Sequence, residues 1–298
     1  MTSKNSTGAG VKRKDGIVEF VFLGTSGWEQ HPGLWCGCVN CEKARKLGGR
    51  NIRANACAWL QPDCLFDFPP QIFWQARQAG VDIREAKYLL VTHTHDDHFC
   101  PHWLWGRSSA VESDGGQSPR KSPIGHLTVF GNENVCAKTR KVMAGDPSDY
   151  AMGVELVKPF KTYDLGDLRF AGVPANHRDY DRNGLNYIVE RNGRKMLYAT
   201  DTGTILPESM EEIKKHRFDL VVLEGTYGLS PATKTHGNLQ TVEETRDLFL
   251  SRNLLKKGAK FCVTHMSPHF TPVHDEIAPV MKKKGITIAY DGLKVKLS

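Results

Sequence analysis

The stretch VTHTHDDHFCPH, residues 91–102, sets four histidines and two aspartates into twelve positions. The apolar run before it, in AKYLLVTHT (86–94), reads as a buried strand. His93 and His95 lie two apart at its end, so their side chains project to the same side. The chain is then expected to turn, with Asp97 and His98 coming back towards the same point from the start of a helix. A lone histidine is ordinarily a satisfied polar residue. Four imidazole or carboxylate donors within six positions exceed what a structural loop needs, and they read as a metal site. Asp96 points elsewhere by strand-and-turn geometry, and His102, one helical turn past His98, reads as structural.

Working outward, short β-branched and aromatic runs alternate with helical patterns. IVEFVFLGT (17–25) reads as a strand entering a glycine turn, and NACAWL with CLFDF (55–60 and 64–68) as a hairpin turning at Pro62-Asp63. PPQIFWQARQAG (69–80) is expected to be a helix that opens on proline and stops at Gly80. LTVFG is a strand, and NENVCAKTRKVM is a helix capped by Asn132 or Asn134. The second half repeats the rhythm, with strands in LRFAGVPANH, LNYIVERNGRKMLYATDTG, FDLVVLEGT, AKFCVTH and ITIAYDGLKVKL. Asn192-Gly193 marks a hairpin turn in the second of these. Helices are expected in PESMEEIKKH, TVEETRDLFLSRNLL and HDEIAPVMKKK, the last despite Pro279. This is an α/β pattern that two mixed β-sheets with helices outside would satisfy. Residues 1–15 read as a flexible tail, 16–298 as one domain, and 108–123 as a polar surface loop.

The chain has 298 residues, 40% of them hydrophobic, and no apolar run approaches the length of a membrane span. Its start is polar and basic, unlike a secretory signal, and the expected setting is cytoplasmic. Eight cysteines then read as free thiols or metal ligands. The net charge of +7 favours anionic partners, phosphorylated metabolites among them, without arguing for nucleic acid. Three of the cysteines fall within six positions of LWCGCVNCEKAR (34–45). Cys-x-Cys is poorly shaped for a disulfide, whereas three converging thiolates suit a tetrahedral zinc that takes a fourth ligand from elsewhere.

His93-x-His95-x-Asp97-His98 resembles the signature of the metallo-β-lactamase-fold hydrolases, and the rest of that pattern follows in order. Asp67 in CLFDF sits where the family has a buttressing aspartate. His177 in PANH, Asp201 in YATDTG and His265 in CVTHMS resemble its remaining ligands. The resemblance implies an αββα sandwich. It also implies two divalent ions, zinc or manganese: one on His93, His95 and His177, the other on Asp97, His98 and His265, with Asp201 bridging. Such a pair lowers the pKa of a shared water towards neutrality. With a carboxylate at 201, the set is more similar to the phosphodiesterase and nuclease branches than to the zinc β-lactamases.

The cysteine loop, paired with His269 in THMSPHF, resembles the phosphoribosyl cyclic phosphodiesterase subgroup. That implies a structural zinc on Cys36, Cys38, Cys41 and His269. Pro268 lengthens the spacing between the two histidines by one residue, so Cys57, Cys64 and His31 stay as rival fourth ligands. His236 in KTHGNLQTVEET falls where related enzymes carry a general acid, and it reads equally as an exposed loop histidine. Glu224 and Tyr227 follow a buried strand without a decided role.

The expectation is a binuclear hydrolase that cleaves a small phosphodiester, cyclic ones included, with Asp97 and His236 in the catalytic machinery. The substrate is an anionic small molecule, and a homodimer is admitted. An RNA-processing nuclease of the same fold would need a gripping arm, for which 108–123 is too short and too mixed in charge. Thioester or lactone hydrolysis stays open on the same metal pair. A redox-sensing role centred on the cysteines leaves the full ligand set without a use.

Overall fold

The computed structural model describes residues 17–107, 124–143, 145–177 and 183–297; the expected tail 1–15 and loop 108–123 lie outside them. Alternation along the first strand, β1 (Val18–Gly24), organises everything around it. Phe20 and Phe22 enter one apolar core, while Val21 and Leu23, facing the other way, enter a second. A strand buried on both faces needs cover on both, and the chain supplies a second sheet on one side and helices on the other.

The strands follow as β2 (Cys57–Leu60), β3 (Cys64–Phe66), β4 (Tyr88–Leu90), β5 (Leu127–Gly131), β6 (Met152–Leu156), β7 (Thr162–Asp164) and β8 (Leu168–Pro174). They continue as β9 (Leu185–Arg191), β10 (Arg194–Ala199), β11 (Phe218–Glu224), β12 (Leu255–Thr264), β13 (Thr287–Ile288) and β14 (Lys294–Leu297). One sheet runs β14-β1-β2-β3-β4-β5-β6 and the other β13-β12-β11-β10-β9-β8-β7. In the first sheet the pairs from β14 to β3 are antiparallel and those from β3 to β6 parallel. The second has the same plan, antiparallel from β7 to β10 and parallel from β10 to β13. The two sheets face each other across Phe20, Phe66, Phe130, Phe170, Tyr187 and Tyr198.

The α-helices among the described residues are α1 (Val39–Leu47), α2 (Ile72–Ala79), α3 (Glu133–Met143), α4 (Pro207–Ile213), α5 (Leu239–Ser251) and α6 (His274–Lys283). α2 and α3 cover the outer face of the first sheet through Ile72, Ala79, Val135 and Met143. α4, α5 and α6 cover the second through Ile213, Phe249, Ile277 and Met281. Gly80 ends α2 in the left-handed conformation, as a glycine there should. Of the two candidate caps of α3, Asn132 holds the position, its Oδ1 accepting from Val135 N at 2.9 Å. α6 tolerates Pro279 within its length. The chain therefore folds as the expected αββα sandwich.

Two ties across the sheets fix their register. Arg191, at the end of β9, is 1% exposed. It donates to Asp63 Oδ1 at 2.7 Å and to the Gln61 carbonyl at 2.8 Å, both in the β2–β3 turn. Tyr187 donates its hydroxyl to Val91 O at 2.6 Å, and Leu185 N donates to Thr92 O at 2.9 Å, so β9 also grips the chain that leaves β4. Removing one member of a buried ion pair strands the other. Arg191→Ala is expected to cost about 3–5 kcal/mol in urea unfolding. Asp63→Ala in the same background should add less than it costs alone, because the two share one interaction.

Candidate metal centre

The chemistry gathers just past the carboxyl ends of strands from both sheets. Asp67 follows β3, the 93–98 segment follows β4, His177 follows β8, Asp201 follows β10 and His265 follows β12. β4 stops at Leu90, short of the histidines. No α-helix begins at Asp97, contrary to the sequence expectation. His98 N and Phe99 N both donate to His95 O, closing a tight turn. Phe68 N donates to His98 O and Cys100 N to Phe68 O, which draws the chain out flat beside residue 68 before a 3-10 helix at Pro101–Arg107. That pairing wins over helix formation, and the donors still converge.

Hydrogen bonds fix which nitrogen three of the imidazoles present. Asp67 is fully buried and accepts Thr92 N at 2.8 Å, Thr92 Oγ1 at 2.9 Å and His98 Nδ1 at 2.9 Å. Because the Thr92 hydroxyl spends its proton on Asp67, it must accept from His93 Nδ1, 3.0 Å away. Thr226 repeats the device in the other sheet: its hydroxyl donates to His265 O at 2.9 Å and so accepts from His265 Nδ1 at 2.8 Å. In all three rings Nδ1 carries a proton, and Nε2 is the nitrogen aimed inward, able to offer its lone pair to a metal once it has given up any proton of its own.

These lone pairs face one another. His93 Nε2 lies 2.9 Å from His95 Nδ1, and His177 Nε2 lies 3.2 Å from the same atom. His98 Nε2 and His265 Nε2 are 3.0 Å apart, with Asp97 Oδ2 at 3.5 and 3.6 Å from them. Asp201 Oδ2 touches both groups, at 3.1 Å from His93, 3.3 Å from His177 and 3.6 Å from His98. Donors held about 2.1 Å from a common ion lie roughly 3–3.5 Å from each other. Inward lone pairs at these separations repel unless a cation sits among them, so the residues fit metal. His93, His95, His177 and Asp201 make one set; Asp97, His98 and His265 make the other.

Burial and neighbouring His98 push His93 down to about 3, and burial takes His177 to about 4, which keeps both neutral as ligands must be. His98 is the opposite case. Burial opposes its charge, yet the carboxylates of Asp97, Asp67 and Asp201 overcome this and raise it to about 10. Proton and cation compete for that nitrogen, so metal affinity falls as pH falls. Asp67, Asp201 and His265 all adopt left-handed backbone, with φ of 60°, 49° and 56°. Such conformations cluster where surrounding structure imposes them, as at functional sites.

A cavity of about 980 Å³ opens over the two sets, lined by Trp28, Lys138, Tyr227, His236 and Phe270 among others. His236 enters it as its sequence position suggested. Its Nδ1 lies 2.9 Å from Asp201 Oδ1, an ion-pair distance without hydrogen-bond alignment. Burial alone would lower its pKa; Asp201 and Glu224 raise it. Glu224, fully buried, accepts from Gly237 N beside His236 and from Thr226 N, so one carboxylate sets both the His236 loop and the threonine that orients His265. Tyr227 lines the cavity. Asp96 faces solvent and pairs with Lys138 at 2.7 Å; His102 is exposed and apart from the cluster. Thr92, Thr226 and Lys138 are contributions that the sequence reading missed. Lys138 donates to Thr94 O and Phe99 O, each at 2.8 Å, as well as to Asp96. A helix lysine and two threonines carry no motif; only the tertiary fold shows what they hold.

The second cluster also assembles. Cys36 Sγ lies 3.7 Å from His269 Nδ1, and Cys36, Cys38 and His269 converge as a potential metal set. Cys41 is buried beneath them within reach of both thiols. Slight burial opposes ionisation of Cys38, but the Cys41 amide and the neighbouring thiols bring it down to about 7, favourable for a thiolate ligand. Glu29 Oε1 lies 3.1 Å from His269 Nε2 and orients the ring. The rival ligands do not join. Cys57 and Cys64 sit in the sheet cores, and buried His31 faces Asn40 O.

A family model for the beta-lactamase superfamily domain matches residues 58–266. Among solved structures, the chain is similar to a diphosphatase from the PhnP family, with TM-score 0.70 and 22% identity over 94% of this chain and 97% of that one. It is also similar to Zn2+-bound PqqB from Methylobacterium extorquens, with TM-score 0.68 and 16% identity over 93% and 99%. Human short-form tRNase Z gives TM-score 0.62 and 16% identity over 94% and 99%. Comparison with curated protein sequences gave no match.

Asp67→Asn tests the tautomer relay. The amide can still accept from Thr92, but its NH2 then meets His98 Nδ1–H, donor against donor. Competition with a chelator is expected to show a loss of about 10- to 100-fold in metal affinity, with the far-ultraviolet circular dichroism unchanged.

Proposed function

Since the chain belongs to the beta-lactamase superfamily, we propose that this hydrolase is a metal-dependent phosphodiesterase acting on a small anionic diester, cyclic substrates included. The observation that carries the reading is Asp201, one oxygen of which reaches donors of both sets while the other meets His236. His93, His95 and His177 would hold one divalent ion and Asp97, His98 and His265 the other, with Asp201 between them. Zinc and manganese both suit these nitrogen and oxygen donors. When bound, the pair supplies Lewis acidity towards phosphoryl oxygens and a nucleophile at neutral pH. Cys36, Cys38, Cys41 and His269 would hold a structural zinc. Two similar structures are named as a diphosphatase and a tRNase Z, and the reading draws support from them by analogy.

The chain's own groups do the rest. His236, kept protonated towards neutral pH by Asp201, is poised to give a proton to a departing alkoxide, which is general-acid work. Glu29, Asp96, Asp97 and Asp201 line the cavity and by themselves repel an anion. Cationic occupancy reverses that field, so substrate binding depends on metal as much as chemistry does. The free thiols suit a cytoplasmic setting, and among the described residues no helix is long and apolar enough to cross a membrane.

Zinc- or manganese-loaded protein is expected to turn over bis(p-nitrophenyl) phosphate, and His95→Ala to abolish that turnover. His236→Asn should change it little, because nitrophenolate departs without a proton. The same variant should lose about 10²- to 10⁴-fold on a diester with an alkyl leaving group. Metal-loaded protein inert towards both diesters would shift the reading to carbonyl substrates.

A further inference from the structure

We propose that the substrate of this site carries a nucleobase, and that Trp28, Tyr227 and Phe270 form the surface on which the base stacks; the inference rests on the phosphodiesterase reading above.

Three observations converge. The cavity, at about 980 Å³, far exceeds what a phosphoryl group needs and matches pockets that enclose whole small molecules. Its lining mixes two kinds of side chain: Asp96, Asn134 and Lys138 are polar, whereas Trp28, Tyr227 and Phe270 are aromatic. Those aromatics are also held still. Tyr227 and Phe270 stack at 4.7 Å and 11° between planes. Tyr227 N donates to Gly237 O and Leu229 N donates to Phe270 O.

Trp28 is the third observation. Its backbone is pinned from both sides, with Asn55 Nδ2 donating to Gly27 O at 2.7 Å and to Trp28 O at 3.2 Å. A Cβ on Gly27 would come within 3.1 Å of the His265 ring, so the chain here presses directly against a metal-set histidine. On that fixed backbone the residue, which lines the cavity, is nevertheless 65% exposed. An ordered main chain presenting a large bare π-face beside a charged centre is the arrangement that stacks bases without reading their edges. At about 980 Å³ the cavity is of a size to take one small nucleotide.

The test is equilibrium binding of adenosine 5′-monophosphate and ribose 5-phosphate to metal-loaded protein, followed by calorimetry. The base should tighten binding by about 10- to 100-fold in the parent protein. Trp28→Ala should remove most of that difference. Trp35→Ala, 94% exposed on the same segment but outside this cavity, should keep it. Equal affinity for the two ligands in the parent, or a preference undiminished in Trp28→Ala, would overturn the stacking surface. So would failure to bind the nucleotide in protein that turns over bis(p-nitrophenyl) phosphate, and the phosphodiesterase reading would then stand alone. Failure of both binding and turnover would remove the two together. A short single-stranded RNA bound a hundredfold more tightly than the mononucleotide would replace the small substrate with a polymer.

Discussion

A single buried carboxylate organises the centre. Asp67 sits at the end of β3, next to β4 in a parallel pair, so its side chain reaches the segment leaving β4 at Thr92. Being fully buried, it finds its donors in the protein. It takes the Thr92 amide, the Thr92 hydroxyl and His98 Nδ1. Those three bonds decide the backbone path after β4, the tautomer of His98 and, through the hydroxyl, the tautomer of His93. Without Asp67 the imidazoles would still be present, but nothing would say which nitrogen faces inward. Thr226, placed by Glu224, performs the equivalent task for His265 from the other sheet. The centre is thus a seam: each sheet orients its own donors, and the grip of β9 on residues 91 and 92 brings the halves into register.

Much of this was legible in the sequence because the donors are chemically conspicuous. Histidines and aspartates at strand ends stand out at any distance along the chain, and the order His93 to His265 carried the fold with it. The cysteines were conspicuous for the same reason, and the structure brings His269, rather than Cys57, Cys64 or His31, beside Cys36 and Cys38. The rest was hidden because it depends on who meets whom. Thr92 looks like any strand threonine until Asp67 lies beside it. Lys138 reads as a surface helix residue, yet it ties down Thr94, Asp96 and Phe99. The helix expected at Asp97 is displaced by pairing with Phe68, a residue about thirty positions earlier whose influence no local pattern carries.

The charge of the chain and the charge of its cavity also differ in sign. The net charge is +7, yet the cavity is walled by carboxylates, and its nearest cation, Lys138, is already paired with Asp96. The surplus of positive charge in the composition is therefore not concentrated in the cavity lining. On the proposed reading, attraction for a phosphate would arise locally, from cations held by the donor sets.

The left-handed backbone at Asp67, Asp201 and His265 has an evolutionary consequence. Glycine would relax each position by about 1–2 kcal/mol and would delete the group that makes it useful. Folding and chemistry pull in opposite directions at these three residues, while at Phe20 or Tyr187 they pull together. Selection for a stable fold alone would erode the centre from these turns first, towards glycine or asparagine, and leave the sandwich intact. Copies of this chain freed from catalysis should be recognisable by that signature: a preserved core around three vacated strand ends.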